Sequence, residues 1–446
     1  MKYIYFIGIG GIGMSAIARY YNHKGYTVSG YDRTESDLTR ALENEGIAVH
    51  YEDRPDLLPS DKAQTLVVYT PAIPADLKEI IKAREEGYKL FKRSKILGEL
   101  TSGERTLAVA GTHGKTTTST LTAHILESSR IGCSAFLGGI SINYGTNFLL
   151  NRNNIVVVEA DEFDRSFLQL HPQIAAITAM DADHLDIYGD LAHVQQAYRE
   201  FASQVSDDIV AKLGLPLDSN SLKANLHTYH IDDPIADYHA SNIRLLEDGH
   251  YIFDLIYPKG IIKDIFLGTL GKLNIENSVA AAAICLLQGI EPEAIRKAIG
   301  SFKGVKRRLE EHINKHGITY IDDYAHHPAE ISASLKSLKE IFPNRKLTVV
   351  FQPHLYSRTR DFAEEFAKAL SIADELILLD IYPAREQPIP GVTSELIYKS
   401  VTCAEKHLIT NSELLSFLSK KQLDVIVTMG AGNIDRFVEP IKEMLT

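Results

Sequence analysis

Apolar and polar positions along the chain follow two interleaved periods. Residues 3–9, 27–31 and 65–69 are apolar runs of strand length, and the stretches 12–24 and 34–45 between them repeat apolar side chains at helical spacing. A strand, a helix and a strand in succession is the rhythm of a parallel sheet covered by helices. It resumes with a strand at 106–110, a glycine loop, a helix from about residue 115, and strands at 155–159 and 174–179. A third set follows the segment 304–308, with strands at 318–322, 346–351, 375–380 and 424–429 and helices at 328–341 and 360–370. The pattern predicts an α/β protein with domains at 1–100, 101–304 and 305–446. Inside the middle domain, 206–229 is polar and weakly periodic, and 233–267 reads as a small antiparallel addition turning at Glu247-Asp248-Gly249. No internal repeat or low-complexity tract interrupts the pattern.

Candidate chemistry sits where the predicted strands end. The loop Gly8-Ile9-Gly10-Gly11-Ile12-Gly13 lies between a strand and a helix, with GxGxxG spacing through Gly8, Gly10 and Gly13. Glycines there let backbone N–H groups approach a pyrophosphate at the positive end of a helix. Asp32 follows at the end of the second strand, where a ribose-binding carboxylate would stand, so the pair reads first as a nicotinamide site. The loop itself specifies only a nucleotide diphosphate, and a UDP-sugar fits it equally well.

A second loop, Gly111-Thr112-His113-Gly114-Lys115-Thr116-Thr117, ends in the Gly-Lys-Thr of a triphosphate site. Lys115 would neutralise charge on a transferred phosphoryl group, and the Thr116 hydroxyl would ligate Mg²⁺. Position 109, the first glycine of a strict P-loop, is Val109. A magnesium ion held by one hydroxyl needs carboxylate help, and Glu159 leaves the next strand in Glu159-Ala160-Asp161-Glu162. Asp181-Ala182-Asp183-His184 follows a further strand and adds His184 as a candidate ligand.

The third domain offers Asp322-Asp323-Tyr324-Ala325-His326-His327-Pro328 directly after a strand. Adjacent histidines point opposite ways in an extended chain, so orientation of a nucleotide or substrate suits them better than a shared metal. Gln352-Pro353-His354 follows the next strand, with Arg358 and Arg360 close behind. Arginine is the side chain best shaped to grip a carboxylate through paired N–H bonds.

Composition narrows the class. Of 446 residues, 45% are hydrophobic and 24% charged, which excludes a disordered chain; 47 basic against 58 acidic residues give −11, which argues against a nucleic-acid binder. Cys133, Cys285 and Cys403 are scattered, so no disulfide framework or CxxC metal site is expected, which suits a reducing cytoplasm. Apolar runs such as 347–351 and 375–381 fall well short of the roughly 18 residues of a membrane span. Neither a membrane anchor nor a signal peptide is expected.

Taken in order, these motifs resemble the Mur ligase family over the whole chain. The carriers are Gly8-Ile9-Gly10-Gly11-Ile12-Gly13-Met14-Ser15, Ala110-Gly111-Thr112-His113-Gly114-Lys115-Thr116-Thr117, Glu159-Ala160-Asp161-Glu162, Asp183-His184, Gly304-Val305-Lys306-Arg307-Arg308, the 322–328 segment and Phe351-Gln352-Pro353-His354. The resemblance implies an N-terminal Rossmann-like domain binding a UDP-sugar, a central P-loop ATPase and a C-terminal Rossmann-like domain binding an amino acid. The family member most resembled joins L-alanine to the lactyl carboxylate of UDP-N-acetylmuramate, by way of an acyl phosphate, in peptidoglycan precursor synthesis. ATP and Mg²⁺ would be its cofactors, with no nucleic-acid or membrane partner and a monomer or weak homodimer as the working form.

By this resemblance, Gly8, Gly10, Gly11, Ile12, Gly13 and Asp32 would bind the UDP-sugar. Gly111, Thr112, His113, Gly114, Lys115, Thr116, Thr117, Asn274, Asn277 and Arg308 would bind ATP, with Asn274 also a candidate helix cap. Thr116, Glu159 and His184 would hold metal, His354 and Arg358 the amino acid, and Lys115, His184, His327 and Arg358 are the catalytic candidates. Leu273 stands where the family usually has histidine, and Leu355 where alanine-adding members usually have arginine, which leaves Arg358 as the carboxylate contact. No lysine lies between Thr116 and Ala211, whereas later ligases of the pathway place a carbamylated lysine there. Its absence favours the first-step ligase or the recycling ligase that attaches a tripeptide to the same sugar nucleotide. An NAD-dependent oxidoreductase and a nucleotide-switched binding module are the readings from other classes.

Overall fold

The computed structural model describes every residue except Asp183, His184, His316 and Arg385, together with the side chains of Leu185 and Asp186, which are not described. Three sheets organise the described chain. The first contains β1 (Tyr3–Ile7), β2 (Thr27–Tyr31), β3 (Ala48–His50), β4 (Thr65–Tyr69) and β5 (Lys89–Lys92) in the order β3-β2-β1-β4-β5. All its pairings are parallel. Because β1 sits between β2 and β4, its C-terminal end opens at the reversal of strand order where such sheets place ligands.

The second sheet contains β6 (Arg105–Ala110), β7 (Ser134–Phe136), β8 (Phe148–Leu149), β9 (Ile155–Glu159), β10 (Ile174–Ile177), β11 (Asp208–Lys212), β12 (Asn225–His230), β13 (Tyr238–Leu245), β14 (Tyr251–Tyr257) and β15 (Gly260–Phe266). Their order is β15-β14-β13-β12-β11-β10-β6-β9-β7-β8. β6 lies parallel between β10 and β9, so the ends of three apolar strands converge at one point. Strands β13 to β15, within the stretch expected as a small addition, follow one another at one end of the sheet, and β13 pairs parallel to β12. The polar 206–229 segment differs from expectation, since it contains two parallel strands, β11 and β12. The residues of β12 are mostly half-exposed, so its apolar signal is weak.

The third sheet contains β16 (Glu310–Lys315), β17 (Ile318–Asp323), β18 (Leu347–Phe351), β19 (Glu375–Leu378), β20 (Glu405–Leu408) and β21 (Val425–Met429), in the order β16-β17-β21-β18-β19-β20. Only β16 runs antiparallel to its neighbour. The helix expected over 360–370 is divided into Tyr356–Asp361 and Ala363–Leu370 at Phe362, whose φ of −123° and ψ of 23° break the helical run. The stretch expected as a helix from residue 34 starts at Asp37, because Ser36 caps it by accepting from the Thr39 N–H.

By its contacts the chain forms two units, one of residues 1–241, 254–265 and 276–303, the other of 242–253, 266–275 and 304–446. The apolar faces of the first two sheets share one buried cluster that includes Phe6, Ile17, Ala108, Val158, Phe167, Ile177 and Phe201. Burial of this kind, at about 25 cal/mol per Å² of apolar surface, holds the glycine corners of both sheets in place. Among the described residues no helix is long and apolar enough to cross a membrane, and all three cysteines are free thiols.

Candidate active site

At the end of β6 the chain turns through four residues into the helix Lys115–Ser128, with Gly114 at φ 80° as its N-cap. Gly111 has a φ of 136°, and a Cβ there would overlap Thr178 Oγ1. That hydroxyl donates to the carbonyls of Ala110, at 3.1 Å, and His113. The close approach therefore needs glycine at 111 and not at 109, where Val109 is fully buried in register with Glu159. This accounts for the departure from the strict P-loop pattern.

Lys115 Nζ donates to the Gly111 carbonyl at 2.6 Å and pairs with Glu162 at 2.8 Å. Glu162 is 1% exposed, and the Tyr188 hydroxyl donates to its backbone carbonyl at 2.6 Å. Burial opposes the Lys115 ammonium, but the charges of Glu162, Glu159 and Asp161 outweigh it and hold the lysine above its ordinary pKa. The lysine is thus kept charged and anchored at the turn. Glu162 was not among the residues singled out from the sequence; its signal was only that it ends the acidic segment after β9.

The Thr116 hydroxyl donates to Glu159 Oε1 at 3.1 Å, and Glu159 Oε2 accepts the Gly138 N–H at 3.1 Å. A Cβ on Gly138 would overlap the carboxylate, so glycine there leaves room for it. A hydroxyl and a carboxylate side by side at the ends of β6 and β9 are hard oxygen donors of the kind Mg²⁺ takes. His184, the third expected ligand, lies outside the described residues. Thr112 Oγ1 accepts the Asp181 N–H at 3.2 Å, and His113 Nε2 lies 3.4 Å from Asp181. Thr117 occupies the first turn of the Lys115–Ser128 helix.

Asn277 reaches this corner, its Oδ1 lying 3.4 Å from Thr118 Oγ1 and against the open side of Gly114. Asn274 is one turn earlier on the helix Leu273–Leu287, and its Nδ2 donates to the Leu270 carbonyl at 2.7 Å. It lies inside that helix and not at its N-cap.

The first glycine corner is built differently. The N–H groups of Gly8 and Ile9 donate to the Tyr31 carbonyl at 2.8 and 3.0 Å, and that of Gly10 to Asp32 Oδ2 at 2.8 Å. Asp32 Oδ1 accepts the Thr34 N–H at 3.1 Å, so this carboxylate holds the loop. Gly11 precedes the helix Ile12–His23 without a side-chain cap, so the first helical N–H groups, those of Ile12 and Gly13, have no acceptor within the helix. Asn147, fully buried, donates from Nδ2 to Ser15 Oγ at 3.0 Å and to the Ile12 carbonyl at 2.5 Å, which pins the helix start.

In the second unit, β17 ends at Asp322 and Asp323. Arg307 pairs with Asp322 at 2.9 Å and donates to the Gly430 carbonyl at 2.6 Å. The guanidinium groups of Arg307 and Arg308 both lie over the Tyr324 ring, at 5.3 and 5.2 Å. Burial raises Asp323 to about 6, against the opposing Ser334 hydroxyl and Arg308. The adjacent histidines diverge as expected. His326 bonds the Tyr324 carbonyl at 3.0 Å and lies 6.1 Å from His354, while His327 starts the helix Pro328–Ile341 and packs 5.1 Å from Phe362. His354 stacks on Tyr382 at 5.8 Å. Arg358, on the short helix after β18, keeps Nη1 buried with no hydrogen-bond acceptor among the described residues. A buried guanidinium N–H without an acceptor is costly, and an anion placed there would relieve it.

Three family models match the chain in succession: the Mur ligase family catalytic domain over residues 3–105, the Mur ligase middle domain over 109–285 and the Mur ligase glutamate ligase domain over 307–432. The chain belongs to the Mur ligase family. Its relatives include the UDP-N-acetylmuramate–L-alanine ligase of Porphyromonas gingivalis, 49% identical over 100% of this chain and 99% of the relative. The enzyme of the same name from Phocaeicola vulgatus is 50% identical over 100% and 98%. Among solved structures, the UDP-N-acetylmuramate–alanine ligase of Thermotoga maritima superposes with a TM-score of 0.85 at 29% identity, covering 99% of both chains. A murein peptide ligase of Psychrobacter arcticus, 21% identical over 100% of this chain and 99% of that one, shares the fold with a TM-score of 0.72.

For this Mur ligase the three-domain α/β architecture expected from the sequence holds. The structure gathers Gly111, Thr112, His113, Gly114, Lys115, Thr116, Thr117, Glu159 and Asn277 at one corner of the first unit. It sets Gly8, Gly10, Gly11, Ile12, Gly13 and Asp32 at another, and carries Asn274, Arg308, His327, His354 and Arg358 in the second unit.

Proposed function

We infer that this Mur ligase joins L-alanine to the lactyl carboxylate of UDP-N-acetylmuramate at the expense of ATP, the first amino-acid addition in peptidoglycan precursor synthesis. The observation that carries the phosphoryl-transfer half is the Lys115 corner, where a buried, charge-anchored lysine stands beside the Thr116 and Glu159 oxygens. The full-length identity to alanine-adding relatives supports the substrate pair.

A carboxylate is a poor acylating agent, so it first takes the γ-phosphoryl group of ATP, with ADP as the leaving group; the neutral amine of L-alanine then attacks the carbonyl, gives up a proton, and phosphate leaves as the amide forms. In that sequence Lys115 neutralises charge on the β and γ phosphates, and the turn at 111–114 orients them through backbone N–H groups. Thr116 and Glu159 would hold Mg²⁺, which spreads the charge of the transferred group when bound. The open N–H groups of Ile12 and Gly13 take the diphosphate of the sugar nucleotide. Arg358 grips the carboxylate of the amino acid, with His354 beside it, and His326, His327 and Arg308 line the same strand ends of the second unit. Domains at 1–100, 101–304 and 305–446 divide these tasks. We place the enzyme in the cytoplasm, as a monomer or weak homodimer.

The engagement of Asp32 with Gly10 speaks against the nicotinamide reading, since the carboxylate that would bind a ribose is spent on the loop itself. The deciding assay follows phosphate release with ATP, Mg²⁺ and UDP-N-acetylmuramate, offering L-alanine, L-serine, glycine or the murein tripeptide in turn. Release with L-alanine at the highest kcat/KM is expected. Preference for the tripeptide makes the enzyme a recycling ligase, and release that requires no amino acid overturns the ligase reading.

A further inference from the structure

The glycine corner at 8–13 has one cation over it that the motif does not name. Arg93, the first residue of the helix Arg93–Thr101, lies with Nη1 where a Cβ on Gly13 would stand. The side chain is 19% exposed, and Nη2 donates to Asp161 Oδ2 at 2.9 Å. No other hydrogen bond from this guanidinium is present among the described residues, so Nη1 and Nε are open and Nη1 sits against the loop. Gly13 is in the first turn of the helix Ile12–His23, whose positive end has no acidic residue and whose first N–H groups have no acceptor within the helix. A guanidinium half-used by a carboxylate, lying on an open pair of helical N–H groups, is arranged for a second anion.

We propose that Arg93 grips the diphosphate of the sugar nucleotide, and that Asp161 is its resting partner and competitor for that anion. The inference rests on the sugar-nucleotide reading of the 8–13 corner given above. Asp161 suits the holding role because its other contacts are local: Oδ1 accepts the Phe163 N–H at 3.1 Å, and its carbonyl accepts the Phe167 N–H at 2.9 Å. A neighbouring pair, Lys92 with Asp164 at 2.9 Å, already ties the same two segments together, so the Arg93 pair is not needed as their sole tether. Gly13 has a second reason to be glycine: any side chain there would push the guanidinium off the loop.

The two roles open to Arg93 differ in sign. A tether predicts that removing either partner weakens sugar-nucleotide binding alike. A phosphate grip restrained by Asp161 predicts opposite effects. The test is calorimetric binding of UDP-N-acetylmuramate to the full-length enzyme, with steady-state kinetics alongside, for wild type, Arg93→Ala, Arg93→Lys and Asp161→Asn, each checked for an unchanged thermal transition.

Arg93→Ala is expected to raise Kd and KM for the sugar nucleotide at least tenfold with KM for ATP within twofold, and Arg93→Lys to recover part of the loss. Asp161→Asn is expected to bind the sugar nucleotide as tightly as wild type or up to fivefold more tightly, and this variant carries the decision should Arg93→Ala fail to fold. Weakening by Asp161→Asn, or a Kd within twofold of wild type for Arg93→Ala, overturns the proposal while the wild-type enzyme still binds its substrate. Failure of the wild type to bind UDP-N-acetylmuramate overturns instead the reading on which the proposal rests.

Discussion

The corners at 8–13 and 111–115 share a strand between two parallel neighbours, a turn with glycine at positive φ (Gly8 in the first, Gly111 and Gly114 in the second), and a helix that starts within the turn. Their surroundings separate them. At the first, Asp32 and the Tyr31 carbonyl consume three N–H groups of the loop, and the cation against it among the described residues is borrowed from the Arg93 helix. At the second, the cation is built into the loop as Lys115, with Glu162 buried beneath it and Glu159 beside Thr116. On the function proposed above, the same backbone would serve a diphosphate that is only held and a triphosphate that reacts. What makes the difference is the number of charges brought to the turn by neighbouring strands, since held anions need hydrogen bonds while a transferred phosphoryl group also needs its developing charge neutralised.

The harshest way to break the comparison is to remove the cation unique to the second corner. Lys115→Ala should lower kcat/KM for amide formation about a thousandfold, roughly 4 kcal/mol, while calorimetric affinity for UDP-N-acetylmuramate stays within twofold. Near-normal turnover would merge the two corners into mere binding sites.

The helices behind the corners also differ, since one buries Arg19, paired with Glu45, and the other buries His124 between Tyr144 at 2.9 Å and Ser301 at 3.0 Å. Burial lowers His124 to about 4, so the folded state keeps it neutral while the unfolded chain takes up a proton near its ordinary value of 6.5. The stability this lends is present above pH 6.5 and is lost as pH falls from there towards 4, amounting to about 3 kcal/mol. Denaturation midpoints between pH 7 and 4.5 should fall more steeply for wild type than for His124→Gln; parallel curves would show that the histidine does not carry the dependence.

Weakening the carboxylate at the reacting corner is milder. Glu159→Ala should cost about fiftyfold in kcat/KM at low Mg²⁺ and recover in part as Mg²⁺ is raised, because one lost oxygen weakens a site before abolishing it. An unshifted Mg²⁺ dependence would make Glu159 structural.

On the proposed reading, Arg358 would extend the comparison to a third anion, gripped by a side chain alone. Arg358→Lys keeps the charge and loses the fork, so KM for L-alanine should rise roughly ten- to a hundredfold, about 1.5–3 kcal/mol, with KM for the sugar nucleotide little changed in steady-state kinetics. A shift in the sugar-nucleotide KM instead would give Arg358 the lactyl carboxylate or a phosphate and send the amino-acid search to His354 and His327. The smallest effect belongs to the loop's own carboxylate: Asp32→Asn retains one acceptor for the Gly10 N–H and should raise KM for UDP-N-acetylmuramate only severalfold, about 1 kcal/mol. A loss as large as that of Lys115→Ala would show that Asp32 touches the ligand directly.

Most of the fold was legible because strands buried on both faces leave continuous apolar runs. Ile155–Glu159 and Val425–Met429 needed only their own residues to be read, whereas β12, mostly half-exposed, did not stand out from the polar stretch around it. The motif residues were legible for the related reason that a turn after a strand needs particular residue types at adjacent positions. Glu162 and Arg93 carry no such signature. A glutamate beneath a lysine 47 positions earlier and an arginine lying on a glycine 80 positions before it are contacts between segments, and no local pattern encodes them.

The sequence by itself determined the alternation of strands and helices, the two glycine corners, the Lys115-Thr116 pair and the membership of a ligase family, all properties of short contiguous stretches governed by periodicity and backbone stereochemistry. Tertiary structure alone decided which charges meet at each corner: that Asp32 is consumed by its own loop, that Lys115 rests on a buried Glu162, that glycine is required at 111 because Thr178 crosses there, and that Arg93 stands over Gly13. Electrostatic and steric effects depend on distance through space, and that distance is set only when separate strands pack side by side.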